Sequence, residues 1–210
     1  MSEPVLRATQ VHYAREHTTI LDGISVDVFA GEVLAVMGPS GSGKSSLLAL
    51  LAGLESPDSG SVRHGSGELS VVPVDFGIVL QGYGLVNLLT AAENVEVALQ
   101  ARALPASFVR ARAASTLEHV GLEHVADHLV EELSGGQQQR VAIARALAID
   151  PAVLIADEIT AELDSATKNV IADLVLDRAR HGSAVVLATH DPAIAARCHR
   201  RLHLVDGLVV

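Results

Sequence analysis

Apolar and polar positions recur with two different periods along this chain. Ile24, Val26 and Val28 alternate with Ser25, Asp27 and Phe29, the rhythm of a half-buried strand. Ala30-Gly31-Glu32 turns the chain, and Val33–Met37 follows as an unbroken apolar run suited to a buried strand. After a glycine-rich loop, Leu47, Leu48, Leu51 and Leu54 share one broad helical face, and Pro57-Asp58-Ser59-Gly60 predicts where that helix ends. Strand-like sequence fills 60–80. From Thr90 to about Leu133 the period is helical: Val109, Ala113, Leu117 and Val120 share a face, with Arg110, Arg112 and Glu118 away from it. Beyond it, 137–149 and 166–180 read as helices, and 153–156 and 184–189 as strands. Asp191-Pro192 supplies an N-cap and first-turn proline for a last short helix, and Asp206-Gly207 predicts a hairpin. Apolar strands alternating with helices predict a parallel α/β sheet.

Composition sharpens this picture. Half the residues are apolar but only 2% are aromatic, so Ala, Val, Leu and Ile must build the core. A net charge of -10 with no long basic run argues against a nucleic-acid partner. The single Cys198 has no partner for a disulfide or a CxxC motif, which suits a reducing compartment. Met1 to Tyr13 lacks the apolar stretch of a signal peptide, and the longest apolar runs fall far short of the roughly 20 residues that span a bilayer. The expectation is a soluble chain that reaches any membrane through a partner. With no repeat or linker to divide it, 1–210 reads as one domain.

Gly38-Pro39-Ser40-Gly41-Ser42-Gly43-Lys44-Ser45 matches the phosphate-loop pattern between a strand and a helix. Glycines let successive backbone N–H groups turn inward around phosphate oxygens, and the helix start adds unsatisfied donors and the positive end of its dipole. Lys44 is expected to reach the β- and γ-phosphates, and the Ser45 hydroxyl to coordinate Mg²⁺. The loop by itself fits a kinase, a GTPase or an ATPase.

Leu133-Ser134-Gly135-Gly136-Gln137, continuing Gln138-Gln139-Arg140-Val141-Ala142-Ile143-Ala144-Arg145-Ala146-Leu147, is a second small nest at a helix start. Here the sequence closely resembles the signature motif of ABC ATPases, and the resemblance covers essentially the whole chain. It implies a P-loop NTPase fold of the ABC ATPase type: a parallel-sheet core, an N-terminal antiparallel β subdomain and a helical subdomain at about 82–135. It also implies a head-to-tail dimer in which Ser134, Gly135, Gly136 and Gln137 of one subunit close over ATP held by the other.

The other family elements follow in order. Val153–Ala156 with Asp157 and Glu158 looks like the Walker B strand, Asp157 serving Mg²⁺ and Glu158 polarising the attacking water. Gln81 resembles the glutamine that contacts Mg²⁺ and water, His190 the switch histidine on the γ-phosphate, and Asp164 in Ala161-Glu162-Leu163-Asp164 the loop that communicates across the dimer. Tyr13 stands where an aromatic ring stacks on adenine. Two positions depart from the pattern: Ser46 replaces a commoner threonine beside the nucleotide, and Ile159 replaces a proline, which predicts a looser turn after Glu158. His124 and His128, one helical turn apart, and nearby His119 are expected to be surface residues, because no Cys completes a metal site.

The resemblance implies ATP and Mg²⁺ as ligands, a second ATPase subunit, and an integral-membrane permease docked beside Gln81 and Tyr83. The chain would then lie on the cytoplasmic face of the membrane. Leu85–Val97 resembles the lipoprotein-release and macrolide-export branch. An ATP-driven regulatory or cell-division module acting through a membrane partner is the alternative.

Overall fold

A computed structural model describes residues 3–69, 72–160 and 162–210. Ser70 and Val71 in the strand-like stretch, Ala161 beside Glu162, and Met1 and Ser2 lie outside the described residues.

The N-terminal alternation forms β1 (Leu6–Arg15) and β2 (Thr18–Val28), paired antiparallel with Leu6, Val11, Leu21 and Ile24 buried. The apolar run forms β3 (Val33–Met37), and α1 (Lys44–Leu51) follows the glycine-rich loop. β4 (Ser59–His64) and β5 (Gly67–Glu68) complete a four-stranded antiparallel sheet ordered β2-β1-β4-β5. β6 (Phe76–Val79) leads to α2 (Ala91–Gln100) and α3 (Ala106–His119), then 3₁₀ turns at Glu123–Val125 and Val130–Glu132. The remaining elements are α4 (Gly135–Ala148), β7 (Val153–Asp157), α5 (Ser165–Arg180), β8 (Ala184–Ala188), α6 (Pro192–Ala195), β9 (Arg200–Val205) and β10 (Leu208–Val209).

The second sheet runs β10-β9-β3-β8-β7-β6, parallel except for the edge strand β10. Strands apolar on both faces take the middle, as burial on two sides requires. Val33 and Ala35 of β3 enter one core with α4 and α5, while Leu34 and Val36 enter another with α1 and the antiparallel sheet. The period-2 pattern of one strand thus joins two hydrophobic cores. On the first side, α4 packs against α2, α3 and β6 and ties the helical layer to the sheet.

Helix ends follow local chemistry. Thr90 and Glu93 form a capping box on α2, and Asp191 caps α6 with Pro192 in its first turn. Two expectations need correction. α1 stops at Leu51, because Gly53 turns the chain at φ 72, and Leu54 beyond it is exposed rather than part of the buried face. His124 lies in a 3₁₀ turn and His128 beyond it, so they do not share an α-helical face; both are exposed, as is His119.

Candidate active site

The sheet register brings the predicted chemistry to one edge. Val36 of β3 pairs with Ala188 of β8, Asp157 of β7 with the same Ala188, and Val79 of β6 with Ala156. The carboxyl ends of these four parallel strands therefore lie side by side, and each runs straight into a predicted motif: Gly38, Gln81, Glu158 and His190. Open α/β sheets bind ligands at this edge.

The phosphate loop is tightly built. Gly38 admits no side chain: a Cβ there would lie 2.1 Å from the carbonyl oxygen of Leu204. Gly43, at φ 100, is the N-cap of α1. The tip of the β9–β10 hairpin braces the loop, with Gly207 N–H donating to the Ser42 carbonyl at 3.3 Å. Lys44 is 7% exposed, and its Nζ donates to the carbonyls of Gly38 and Pro39 at 2.9 Å each. Pro39, Ser40 and Gly41 face solvent, whereas the buried Ser42 hydroxyl has no partner among the described residues.

Beside the loop, Tyr13, Ser45, Ser46, Gln81 and Asp157 line a cavity of about 240 Å³. Asp157 is 3% exposed, and its Oδ1 has no hydrogen-bond partner among the described residues. Burial pushes its carboxyl up from the usual range, and Glu158 adds to this, while Ser45 and Lys44 act against it. A buried orphan carboxylate oxygen beside a serine hydroxyl is the hard oxygen set that fits Mg²⁺. Tyr13 reaches this cavity while 8% exposed, its ring packed within the core beneath the antiparallel sheet. Glu158 turns at φ 48 and places its carboxylate 3.5 Å from Nδ1 of His190. The turn is not loosened by Ile159, which is buried; Glu158 N–H donates to Ala188 at 3.0 Å, and Gln139 donates to the Glu158 carbonyl at 3.1 Å.

Ser134, Gly136, Gln137 and Asp164 come together in a separate hollow of about 350 Å³ that shares no lining residue with the first. Ser134 and Gln137 form a capping box, so in this state the serine hydroxyl caps its own helix. Asp164 caps α5, accepting from Ala166, Thr167 and the Thr167 hydroxyl, which hold its carboxyl below the usual range. Glu162 lies over Gly135, where a Cβ would meet its Oε2 at 2.2 Å. A larger hollow of about 720 Å³, beside α5 and His199, contains none of the predicted residues.

Some contacts carry little sequence signal. Arg145, a lone cation in a buried stretch of α4, donates to the carbonyls of Tyr83 and Gly84, and burial lowers its pKa. Burial and a hydrogen bond to Glu162 push the Tyr83 hydroxyl up to about 12. Lys168 of α5 pairs with Asp191, tying down the segment that follows His190.

Comparison with known proteins agrees with this arrangement. The chain is 44% identical over 200 residues to the macrolide export ATP-binding/permease protein MacB 1/2 of Paracoccus denitrificans (strain Pd 1222), covering 91% of this chain but only 30% of that protein. It is 39% identical to the lipoprotein-releasing system ATP-binding protein LolD 1 of Rhodopirellula baltica (strain DSM 10527 / NCIMB 13988 / SH1), covering 94% of this chain and 90% of that one. The solved ATP-binding cassette MJ0796, a dimer in a post-hydrolysis state bound to ADP and Pi, superposes with a TM-score of 0.91 at 36% identity, covering 97% of this chain and 96% of that one. The family model described as ABC transporter matches residues 21–161, a span from β2 to the turn beyond Glu158 that includes the phosphate loop and the signature turn. With those motifs at the sheet edge and the helix start where the fold requires them, this chain belongs to the ABC transporter family.

Proposed function

We propose that this chain is an ATP-binding and hydrolysing subunit that dimerises head-to-tail around two ATP molecules and drives a membrane permease partner. One observation carries the reading: the cavity beside the phosphate loop and the signature hollow stand on the same chain without sharing a lining residue. A face of each kind on every copy is what a two-fold pair needs for each subunit to complete the other's site. The dimeric MJ0796 cassette and the permease named within MacB support the two partnerships. No helix among the described residues is long and apolar enough to cross a membrane; on this reading the chain lies peripherally on the cytoplasmic face, held there by its permease partner. We read 1–210 as one unit, with residues 82–135 as the lobe that meets the permease.

On ATP binding, Lys44 exchanges its loop carbonyls for the β- and γ-phosphates, and the loop N–H groups from Ser40 to Ser45 cradle the phosphate oxygens. Tyr13 borders the adenine. Ser45, Asp157 and Gln81 would hold Mg²⁺, which would supply charge neutralisation at the phosphates. Glu158 accepts a hydrogen bond from the attacking water, and His190 contacts the γ-phosphate, its Nδ1 side oriented by Glu158. Water oxygen bonds to the γ-phosphorus, its proton passing to the Glu158 carboxylate, as the bond to the β–γ bridging oxygen breaks and ADP leaves; positioning and charge stabilisation are the protein's main contribution. Ser134, Gly135 and Gly136 of the second copy close over the γ-phosphate, Gln137 completes that turn, and Asp164 lies at the seam. Loss of the γ-phosphate weakens the seam and converts chemistry into rigid-body motion.

Glu158→Gln tests the reading. It is expected to retain ATP binding, accumulate a closed dimer on sizing columns and lose about 10²–10⁴-fold in kcat. Turnover at the wild-type rate would remove Glu158 from its assigned role.

A further inference from the structure

Gln139 of α4 is 3% exposed and donates from Nε2 to the main-chain carbonyl of Glu158 at 3.1 Å, a contact between residues 19 apart in sequence. Glu158 has φ 48, a left-handed conformation that a non-glycine residue keeps only where its surroundings over-determine it. Its own N–H donates to Ala188 of β8 at 3.0 Å. The peptide groups on either side of the Glu158 Cα are therefore pinned from opposite directions, one by a strand and one by a helix. That fixes the direction of the Cα–Cβ bond and so the reach of the carboxylate, which stands 3.5 Å from His190. Ile159 has no ring to restrict its neighbour, so on the carboxyl side the restraint comes from the Gln139 amide. The Oε1 of Gln139 has no partner among the described residues, which leaves the donor as the working half of that amide.

α4 begins just after Ser134, so the signature turn and Gln139 are separated by about 7.5 Å along one helix axis. Building on the function proposed above, we propose that Gln139 is a positioning residue for hydrolysis. Through the Glu158 carbonyl it aims the carboxylate at the attacking water. Because it rides on the signature helix, it also links the nucleotide that the partner copy presents to Ser134 with the base of its own site. Gln139 touches no nucleotide itself and acts through Glu158.

The test uses the full chain carrying Gln139→Met, which keeps length and burial but lacks a donor, and Gln139→Glu, which puts an acceptor in its place. ATPase kcat and KM, the Kd for a fluorescent ATP analogue and the melting temperature are measured on each. The expected result is a fall in kcat of about 10²-fold, the scale of a misplacement near 1 Å, with KM and Kd unchanged. Combined with Glu158→Gln, Gln139→Met is expected to leave the ATP-driven dimer intact, because Gln139 acts on hydrolysis and touches no nucleotide; loss of that dimer overturns the proposal. Wild-type kcat in either folded variant overturns the proposal. Equal losses of kcat and nucleotide affinity also overturn it, since they make Gln139 a packing residue. If the unsubstituted chain does not hydrolyse ATP, or Glu158→Gln turns over normally, the proposed function itself falls and takes this proposal with it. Those two controls distinguish that outcome from a failure of Gln139 alone.

Discussion

The two glycine-bearing helix starts of this chain, at Gly38–Ser45 and at Ser134–Gln137, look alike in sequence and differ in construction. The first is finished within the chain: Lys44 is buried against the Gly38 and Pro39 carbonyls, and the β9–β10 hairpin closes on the loop from behind. The second is open, its serine caps its own helix, and a carboxylate from Glu162 lies over Gly135. An anion approaching the first nest meets the buried Lys44 at its centre, whereas the second hollow is lined by two carboxylates, Glu162 and Asp164, and one cation, Arg140. Substitutions in the first nest should therefore act on ATP capture, and those in the second on pairing.

The largest expected effect is at Lys44. Lys44→Ala is expected to lower kcat/KM by about 10³-fold, the scale of losing a preorganised charge-stabilising donor, and to abolish binding of a fluorescent ATP analogue. Retained binding would mean that the loop backbone alone captures the triphosphate. Next comes Ser134→Arg, which fills the signature hollow. Turnover should fall about 10²-fold, and the Glu158→Gln dimer should be lost in ultracentrifugation, while ATP Kd in the monomer stays unchanged. Loss of monomer binding would erase the distinction between the nests. The smallest effect is at Glu162. Glu162→Gln in the Glu158→Gln background should tighten the ATP-bound dimer by about two- to fivefold at low salt, equivalent to about 0.4–1 kcal/mol, and the gain should vanish at high salt. A gain that survives high salt would point to packing instead of charge.

The place of much of this candidate site was legible in the sequence because its parts sit at strand ends, which local pattern sets; the roles given to those residues came from the resemblance to ABC ATPases. β3, β7 and β8 are short apolar runs, and Gly38, Asp157, Glu158 and His190 lie within two residues of their last apolar positions. Asp191 and Pro192 announced their helix in the same local way. The contacts that were not legible depend on packing between distant segments. Nothing local to Gln139 says that it meets Glu158, since the meeting depends on how α4 lies against the sheet. The same holds for Arg145 with the Tyr83 carbonyl and Lys168 with Asp191. Leu54 misled for the opposite reason: its spacing continued the helical face after Gly53 had already turned the chain away.

The brace behind the phosphate loop bears on how the protein is made. Residues near position 40 leave the ribosome well before Leu204 and Gly207, which pack against that loop. A growing chain therefore holds its phosphate-gripping sequence before it holds the hairpin that braces it, and the loop reaches its finished shape only when that distant segment docks.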